Sequence, residues 1–256
     1  MRYILLLSFL TLACTSMKVP ANKPINRMVA HRGAFKKNGF PENSIASLRE
    51  AIRLGCIGSE FDVRMSADDS LVVNHDEHYH DLDIEKTTYS ALLPFPLSNG
   101  EKLPTLREYL IAGMEDNRHT DLVLEIKPSG LGPERARAIV DRVLACVKEV
   151  NPSYNIVYIS FDYSMCLRIL EKIPMAHVQY LNGDKNPDQL KEAGIRGMDY
   201  NYNVYKKHPE WIPRAKALGI VLNVWTVNDL TLMNDFLKQG FDLITTNEPE
   251  AGLKLK

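Results

Sequence analysis

Short runs rich in β-branched and aromatic residues recur along the 256-residue chain, and most are separated by stretches whose apolar positions fall at helical spacing. The runs are "RMVAHRG", "IGSEFDV", "SLVVNHD", "DLVLEIKP", "NIVYISFD", "HVQYL", "GMDYNYN", "VLNVWTVN" and "DLITTN". Between the first two, residues 44–54 put Ile45, Leu48 and Ile52 on one face and stop at Gly55, a residue suited to the left-handed turn that ends helices. Thr105 and Glu108 have the spacing of a capping box, and Asp162 and Asn228 stand where N-caps belong. Further helices are predicted over 133–150, 163–173, 187–194, 209–218 and 229–239, the last stopped by Gly240.

Strands that are apolar on both faces and alternate with helices signal a parallel sheet covered by helices. About eight such units in a chain of this length predict an α/β fold of the closed (β/α)8 TIM-barrel type, as one domain over 27–256. Nine candidate strands are one too many for that barrel. The link between "EFDV" and "LVVNHD" is too short for a helix, so this joint is irregular, with a hairpin the natural form.

The first residues are different material. Arg2 precedes a largely apolar stretch of ten residues, Ile4 to Ala13, too short to span a bilayer. With "TLAC" at its end, segment 1–14 resembles a bacterial lipoprotein signal, in which Cys14 carries lipid; a plain secretory signal cleaved nearby is the other reading. Residues 15–26, "TSMKVPANKPIN", read as a polar tether. Both readings predict an exported protein, and the first a lipid-anchored one in the bacterial cell envelope. The net charge of −1 and the absence of a basic run argue against a nucleic-acid partner. Cys56, Cys146 and Cys166 follow no metal or disulfide spacing and read as small buried hydrophobes. Nothing in the sequence fixes an oligomeric state.

Position makes the polar residues informative, because a barrel builds its site at the C-terminal ends of its strands. His31 and Arg32 end the first run, Glu60 and Asp62 the second, His75 and Asp76 the third, Glu125 and Lys127 the fourth, Ser160 the fifth and Trp225 the eighth. Glu60 with Asp62, and Glu125 with Lys127, are spaced i, i+2, so each pair shares a face of its strand. Three carboxylates in one mouth repel unless a cation separates them. Oxygen ligands of this kind suit Ca²⁺ or Mg²⁺ rather than Zn²⁺. His31 and His75, facing each other, suit acid–base work near neutral pH.

These pieces together resemble the glycerophosphodiester phosphodiesterases: "AHRG", "PENS", "EFDV", "LVVNHD", "LEIK", "VWTVN" and "DLITTNEP", in order from about residue 28 to 250. The resemblance implies a barrel of the phospholipase-C-like phosphodiesterase type with a small insertion after the third strand. It implies that Glu60, Asp62 and Glu125 bind one Ca²⁺ or Mg²⁺, that His31 and His75 are the acid–base pair, and that Arg32 and Lys127 hold phosphate oxygens. Glu42, of "PEN", matches a supporting position near the metal. Asn43 is either part of that motif or a helix cap, and Trp225 either lines the alcohol pocket or fills the barrel.

The implied reaction releases sn-glycerol 3-phosphate and an alcohol. Two departures bear on it. The turn after "EFDV" reads Ser66-Ala67-Asp68-Asp69-Ser70, without the family's glycine, and the segment at 77–103 keeps little of the family's pattern. That segment is expected to cover the mouth and select the alcohol. Alternatives are a related enzyme acting on a lysophospholipid, inositol or polyol-phosphate polymer diester, and a non-catalytic lipoprotein that binds polyol phosphates.

Overall fold

The computed structural model describes residues 26–152 and 155–255; the signal-type segment at 1–14 and nearly all of the tether at 15–26 lie outside them. Eleven strands occur among the described residues: β1 (Met28–Ala30), β2 (Gly58–Met65), β3 (Leu71–Val73), β4 (His78–Tyr79), β5 (Leu82–Asp83), β6 (Asp121–Ile126), β7 (Ile156–Ser160), β8 (His177–Tyr180), β9 (Gly197–Asn201), β10 (Val221–Trp225) and β11 (Leu243–Thr246). The helices are α1 (Ile45–Leu54), α2 (Tyr89–Leu92), α3 (Leu106–Ala112), α4 (Pro133–Val150), α5 (Tyr163–Lys172), α6 (Pro187–Glu192), α7 (Tyr202–Lys207), α8 (Trp211–Leu218), α9 (Leu230–Lys238) and α10 (Pro249–Gly252). Strands β1, β2 and β6 to β11 pair in parallel, and β1 bonds to both β2 and β11, which closes an eight-stranded barrel.

The supernumerary ninth run is "SLVVNHD". Strand β2 extends past the barrel rim, and β3 folds back along its last residues in antiparallel register, Val63 opposite Val73 and Met65 opposite Leu71. His75 therefore hangs over the mouth from a hairpin arm, not from a barrel strand. The insertion follows this arm, the third strand in chain order as expected, and so falls between the second and third strands of the barrel wall. The turn that lacks glycine keeps a left-handed residue: Asp69 has φ 60°, and Arg135 bonds its carboxylate at 2.5 Å.

Every residue of β2 is buried, because one face looks into the barrel and the other against helices. Val29, Val123, Val157, Ile159 and Leu181 form the inner core, while a larger apolar layer lies between sheet and helices. The cap of α1 is Ser44, which accepts from the Ser47 amide, and Gly55 ends it at φ 72°. Thr105 and Glu108 form the capping box, and Asp162 caps α5. Asn228 is not a cap. Asp229 caps α9, and the Asn228 side-chain oxygen instead accepts from the Asn247 backbone amide. "GMDYNYN" is also only partly strand: Asn201 caps α7, whose Tyr205 hydroxyl donates to the Met198 and Asn223 carbonyls.

Segment 77–103 has its own small core of Tyr79, Ile84, Leu92 and Leu103 packed on Val72. It is fastened to the loop after β6, where Ser129 Oγ and the Gly130 amide both donate to Glu85.

Candidate active site

The mouth opens as a cavity of about 120 Å³ at the C-terminal ends of the barrel strands. One half is charged and carries His31, Arg32, Glu60, His75, Glu125 and Lys127. The other half is mainly apolar, with Ile159, Phe161, Leu181 and Trp225 around Asp199. None of its lining comes from 77–103, so the expected cover over the mouth is not what shapes it in this structure. Ser160 also faces elsewhere, its hydroxyl donating to the Ile126 carbonyl, and the inward residue at that strand end is Phe161.

Glu60, Asp62 and Glu125 converge as the alternation requires, each offering an oxygen within 4.8 Å of the others. All three are buried. Their charge is partly balanced by protein: Lys127 Nζ lies 2.7 Å from Glu125 Oε1 and 3.3 Å from Asp62 Oδ1. Lys127, expected at the phosphate, is here the counter-ion of the acid cluster. Burial, then Asp62 and Glu125, raise the Glu60 carboxyl well above the usual range. Burial, then Asp62, push Glu125 up to about 7. Burial pushes Asp62 the same way, but Lys127, His75, Asn43 and Arg32 outweigh it and leave Asp62 below its ordinary value. Asp62 is thus the charged member of the three. Glu60 Oε1 is buried without a hydrogen-bond partner among the described residues, which leaves a carboxylate oxygen free to act as a ligand. An all-oxygen, acidic, partly unsatisfied set of this kind fits a hard divalent cation.

The Arg32 amide donates to Glu60 Oε2 at 2.8 Å, an approach made possible by a left-handed Arg32 (φ 54°) followed by Gly33 (φ 80°). A Cβ on Gly33 would lie 2.7 Å from the Ser47 carbonyl carbon, so only glycine fits here. The Arg32 guanidinium is 2.5 Å from Glu42 and 3.7 Å from Asp62, which places Glu42 as its outer brace.

Asn43 is neither cap nor spectator. Its amide nitrogen donates to Asp62 Oδ2 at 2.9 Å, and its side-chain oxygen accepts from the Asp62 amide at 3.1 Å. Its left-handed backbone (φ 59°) suits asparagine far better than alanine. Asn43→Ala is expected to lower stability by about 2–4 kcal/mol through two lost buried hydrogen bonds and backbone strain, read as a shift in the urea midpoint.

Each histidine has a fixed Nδ1. His31 Nδ1 is 2.7 Å from Asn247 Oδ1, and His75 Nδ1 is 2.7 Å from Asp76 Oδ1. A carbonyl or carboxylate oxygen only accepts, so both neutral rings carry their proton on Nδ1 and keep Nε2 as the free base. Burial and the nearby Arg32 charge lower the His31 pKa, despite the Asn247 bond and the acidic neighbours. Trp225 is pinned by its indole N–H to the Asp199 carbonyl at 2.8 Å and stands edge-on to Phe161. The sequence leaves Asn43 open between motif and cap and gives Asn247 and Asp199 no role; Asn43 and Asn247 lie inside the "PENS" and "TTNEP" motifs and Asp199 in a strand of ordinary pattern.

The chain matches the model of the glycerophosphoryl diester phosphodiesterase family over residues 31–251. It belongs to that family. A crystal structure of a glycerophosphodiester phosphodiesterase from Parabacteroides distasonis superposes with a TM-score of 0.87 at 41% identity, covering 91% of this chain and 97% of that one. The glycerophosphodiester phosphodiesterase of Caldanaerobacter subterraneus is 27% identical over 89% of this chain and 96% of its own length. An Oleispira antarctica phosphodiesterase, solved in complex with the product sn-glycerol-3-phosphate, shares the barrel with a TM-score of 0.78 at 22% identity, over 90% of this chain and 97% of its own. The (β/α)8 architecture is common to this chain and its family.

Proposed function

We propose that this protein hydrolyses glycerophosphodiesters to sn-glycerol 3-phosphate and an alcohol, with a bound divalent cation and a two-histidine acid–base mechanism, outside the cytoplasm. The observation that carries the reading is the single cavity in which the Glu60–Asp62–Glu125 cluster faces both His31 and His75. Glu60, Asp62 and Glu125 would hold Ca²⁺ or Mg²⁺. That ion would supply charge stabilisation for the non-bridging phosphate oxygens, a contribution worth several kcal/mol in such sites.

Arg32 and Lys127, which line the cavity beside the acid cluster, would orient the phosphate, Lys127 turning to it from its carboxylate partners when the cation is bound. His31 Nε2, kept neutral near pH 7, accepts the proton of the substrate hydroxyl that attacks phosphorus, and His75, entering this step with both ring nitrogens protonated, gives its Nε2 proton to the departing alcohol oxygen. The cyclic phosphate so formed is opened by water with the two roles exchanged. Asn247 and Asp76 hold the rings in the tautomer that this exchange needs. Trp225 and Phe161 bound the organic end of the substrate.

A small headgroup suits the cavity better than a lysophospholipid. Leu93 and Phe95 are 38% and 36% exposed, but they lie in a segment that contributes no wall to the mouth. The apolar leader and the "TLAC" sequence support export with lipid on Cys14, a reading tested by palmitate labelling of the wild type and its loss in Cys14→Ser.

Release of sn-glycerol 3-phosphate from the ethanolamine, choline, glycerol and inositol diesters, with Ca²⁺, with Mg²⁺ and with chelator, tests the function. Chelator-sensitive release is expected, fastest with a small headgroup. Metal and polyol-phosphate binding without release from any of them would instead identify a binding protein.

A further inference from the structure

The apolar half of the mouth holds one polar group that the mechanism above does not use. Asp199, in the middle of β9, is 2% exposed, lines the cavity, and its Oδ1 has no hydrogen-bond partner among the described residues. The Asn223 side chain bonds the carboxyl but leaves this oxygen unpaired, and the polar groups around it bond one another. Thr245 Oγ1 donates to Asn223 Oδ1 at 3.2 Å, and Asn223 Nδ2 is 3.4 Å from Gln179 Oε1. The Asp199 backbone carbonyl accepts the Trp225 indole N–H, which fixes the strand end and the aromatic wall beside it. Folding gains nothing from an unpaired carboxyl oxygen here, since leaving one buried costs stability. A bound molecule would pair it.

On the reading proposed above, the phosphate sits at the charged half and the glycerol unit reaches into the apolar half. Of the two glycerol hydroxyls, the one beside the ester must stay near phosphorus to react. The terminal hydroxyl extends away from it. We propose that Asp199 hydrogen-bonds the terminal hydroxyl of the glycerol unit and thereby selects glycerol phosphates over polyol phosphates that lack it. Burial and then the Glu125 carboxylate push the Asp199 carboxyl well above the usual range, with a hydrogen bond from Asn223 opposing. A protonated carboxyl both donates and accepts, as a hydroxyl does. The apolar surroundings sharpen the selection, because an analogue without the hydroxyl leaves the acid unpaired again.

The test compares calorimetric binding of sn-glycerol 3-phosphate with that of propane-1,2-diol 1-phosphate, which keeps the phosphate and the adjacent hydroxyl. The metal-loaded wild type is expected to prefer the glycerol compound by about tenfold or more, the ratio that one buried hydrogen bond sustains. In Asp199→Ala the two bind within about threefold of each other. Asp199→Asn, whose amide donates and accepts, keeps most of the preference. Should the alanine protein fail to fold, Asp199→Val makes the same comparison with the space filled. A wild type without preference, or variants that weaken both ligands equally, overturns the assignment. Turnover separates this from the function itself: diester cleavage with an unchanged ratio in Asp199→Ala removes only the Asp199 role. Selective binding without cleavage removes only the catalytic reading.

Discussion

Alanine at His31 or at His75 is expected to lower turnover on the order of 10²–10⁴-fold, the range that loss of one positioned acid–base group commands. Steady-state assays on the preferred glycerophosphodiester, with circular dichroism to confirm folding, measure it. The two positions are distinguishable by leaving group. A p-nitrophenyl ester of glycerol phosphate departs without being protonated, so it should restore much of the first step to the variant that lacks the acid and none to the variant that lacks the base. His75 is the expected acid. Its side chain is 37% exposed, whereas that of His31 is 20% exposed and has its pKa lowered by desolvation and Arg32. Near-wild-type turnover in either alanine variant would exclude the two-histidine scheme.

Removing the metal is the second large effect. Chelation is expected to reduce turnover by about 10²-fold or more, since charge stabilisation worth several kcal/mol disappears. It should also make stability depend on pH in a particular direction. Glu60 and Glu125 have folded pKa values above their ordinary ones, so the folded state holds protons that the unfolded chain has released. Their stabilisation is complete below the ordinary carboxyl range and is lost as pH rises, for Glu125 through about 7. His31, with a lowered pKa, works oppositely, its contribution being lost as pH falls below the ordinary imidazole value. Asp199, also raised, acts with Glu60 and Glu125 against His31. The melting temperature of the chelated protein should therefore decline between pH 5 and pH 8, and Glu125→Gln should flatten the part of the decline near pH 7. Metal-loaded protein should show no such decline, because binding displaces these protons and tightens as pH rises. Stability of the chelated protein that climbs steadily over this range would contradict the neutral-carboxyl account.

Much of this was legible in sequence because it depends on local period. Glu60 and Asp62 share a face by alternation alone, Thr105 with Glu108 is a box by spacing alone, and the strand-helix alternation admits few architectures. The barrel's odd strand was not legible, because "SLVVNHD" has the same apolar pattern whether it joins the wall or folds back on β2. That choice is settled by pairing with Val63 and Met65 across a short turn. Tyr202 and Tyr205 have strand-like propensity, yet tertiary bonds of the Tyr205 hydroxyl favour a helix. The Asn43–Asp62 pair, nineteen residues apart, and the counter-ion role of Lys127 follow from closure of the barrel, which no periodicity reports.

The hairpin that carries His75 has a consequence for how such a protein can change over evolutionary time. The barrel closes through β2 pairing with β6 and with β1, and neither seam involves β3. The arm is therefore an appendage to a wall that is already complete. Whole segments can be exchanged beyond its tip without reopening the barrel, while the backbone bond from the Asn74 amide to the Asp62 carbonyl keeps the base of the arm in register with the acid cluster. One histidine of the proposed pair thus sits on the wall and the other on a replaceable graft, so segments can diversify at the graft while the two histidines stay aligned.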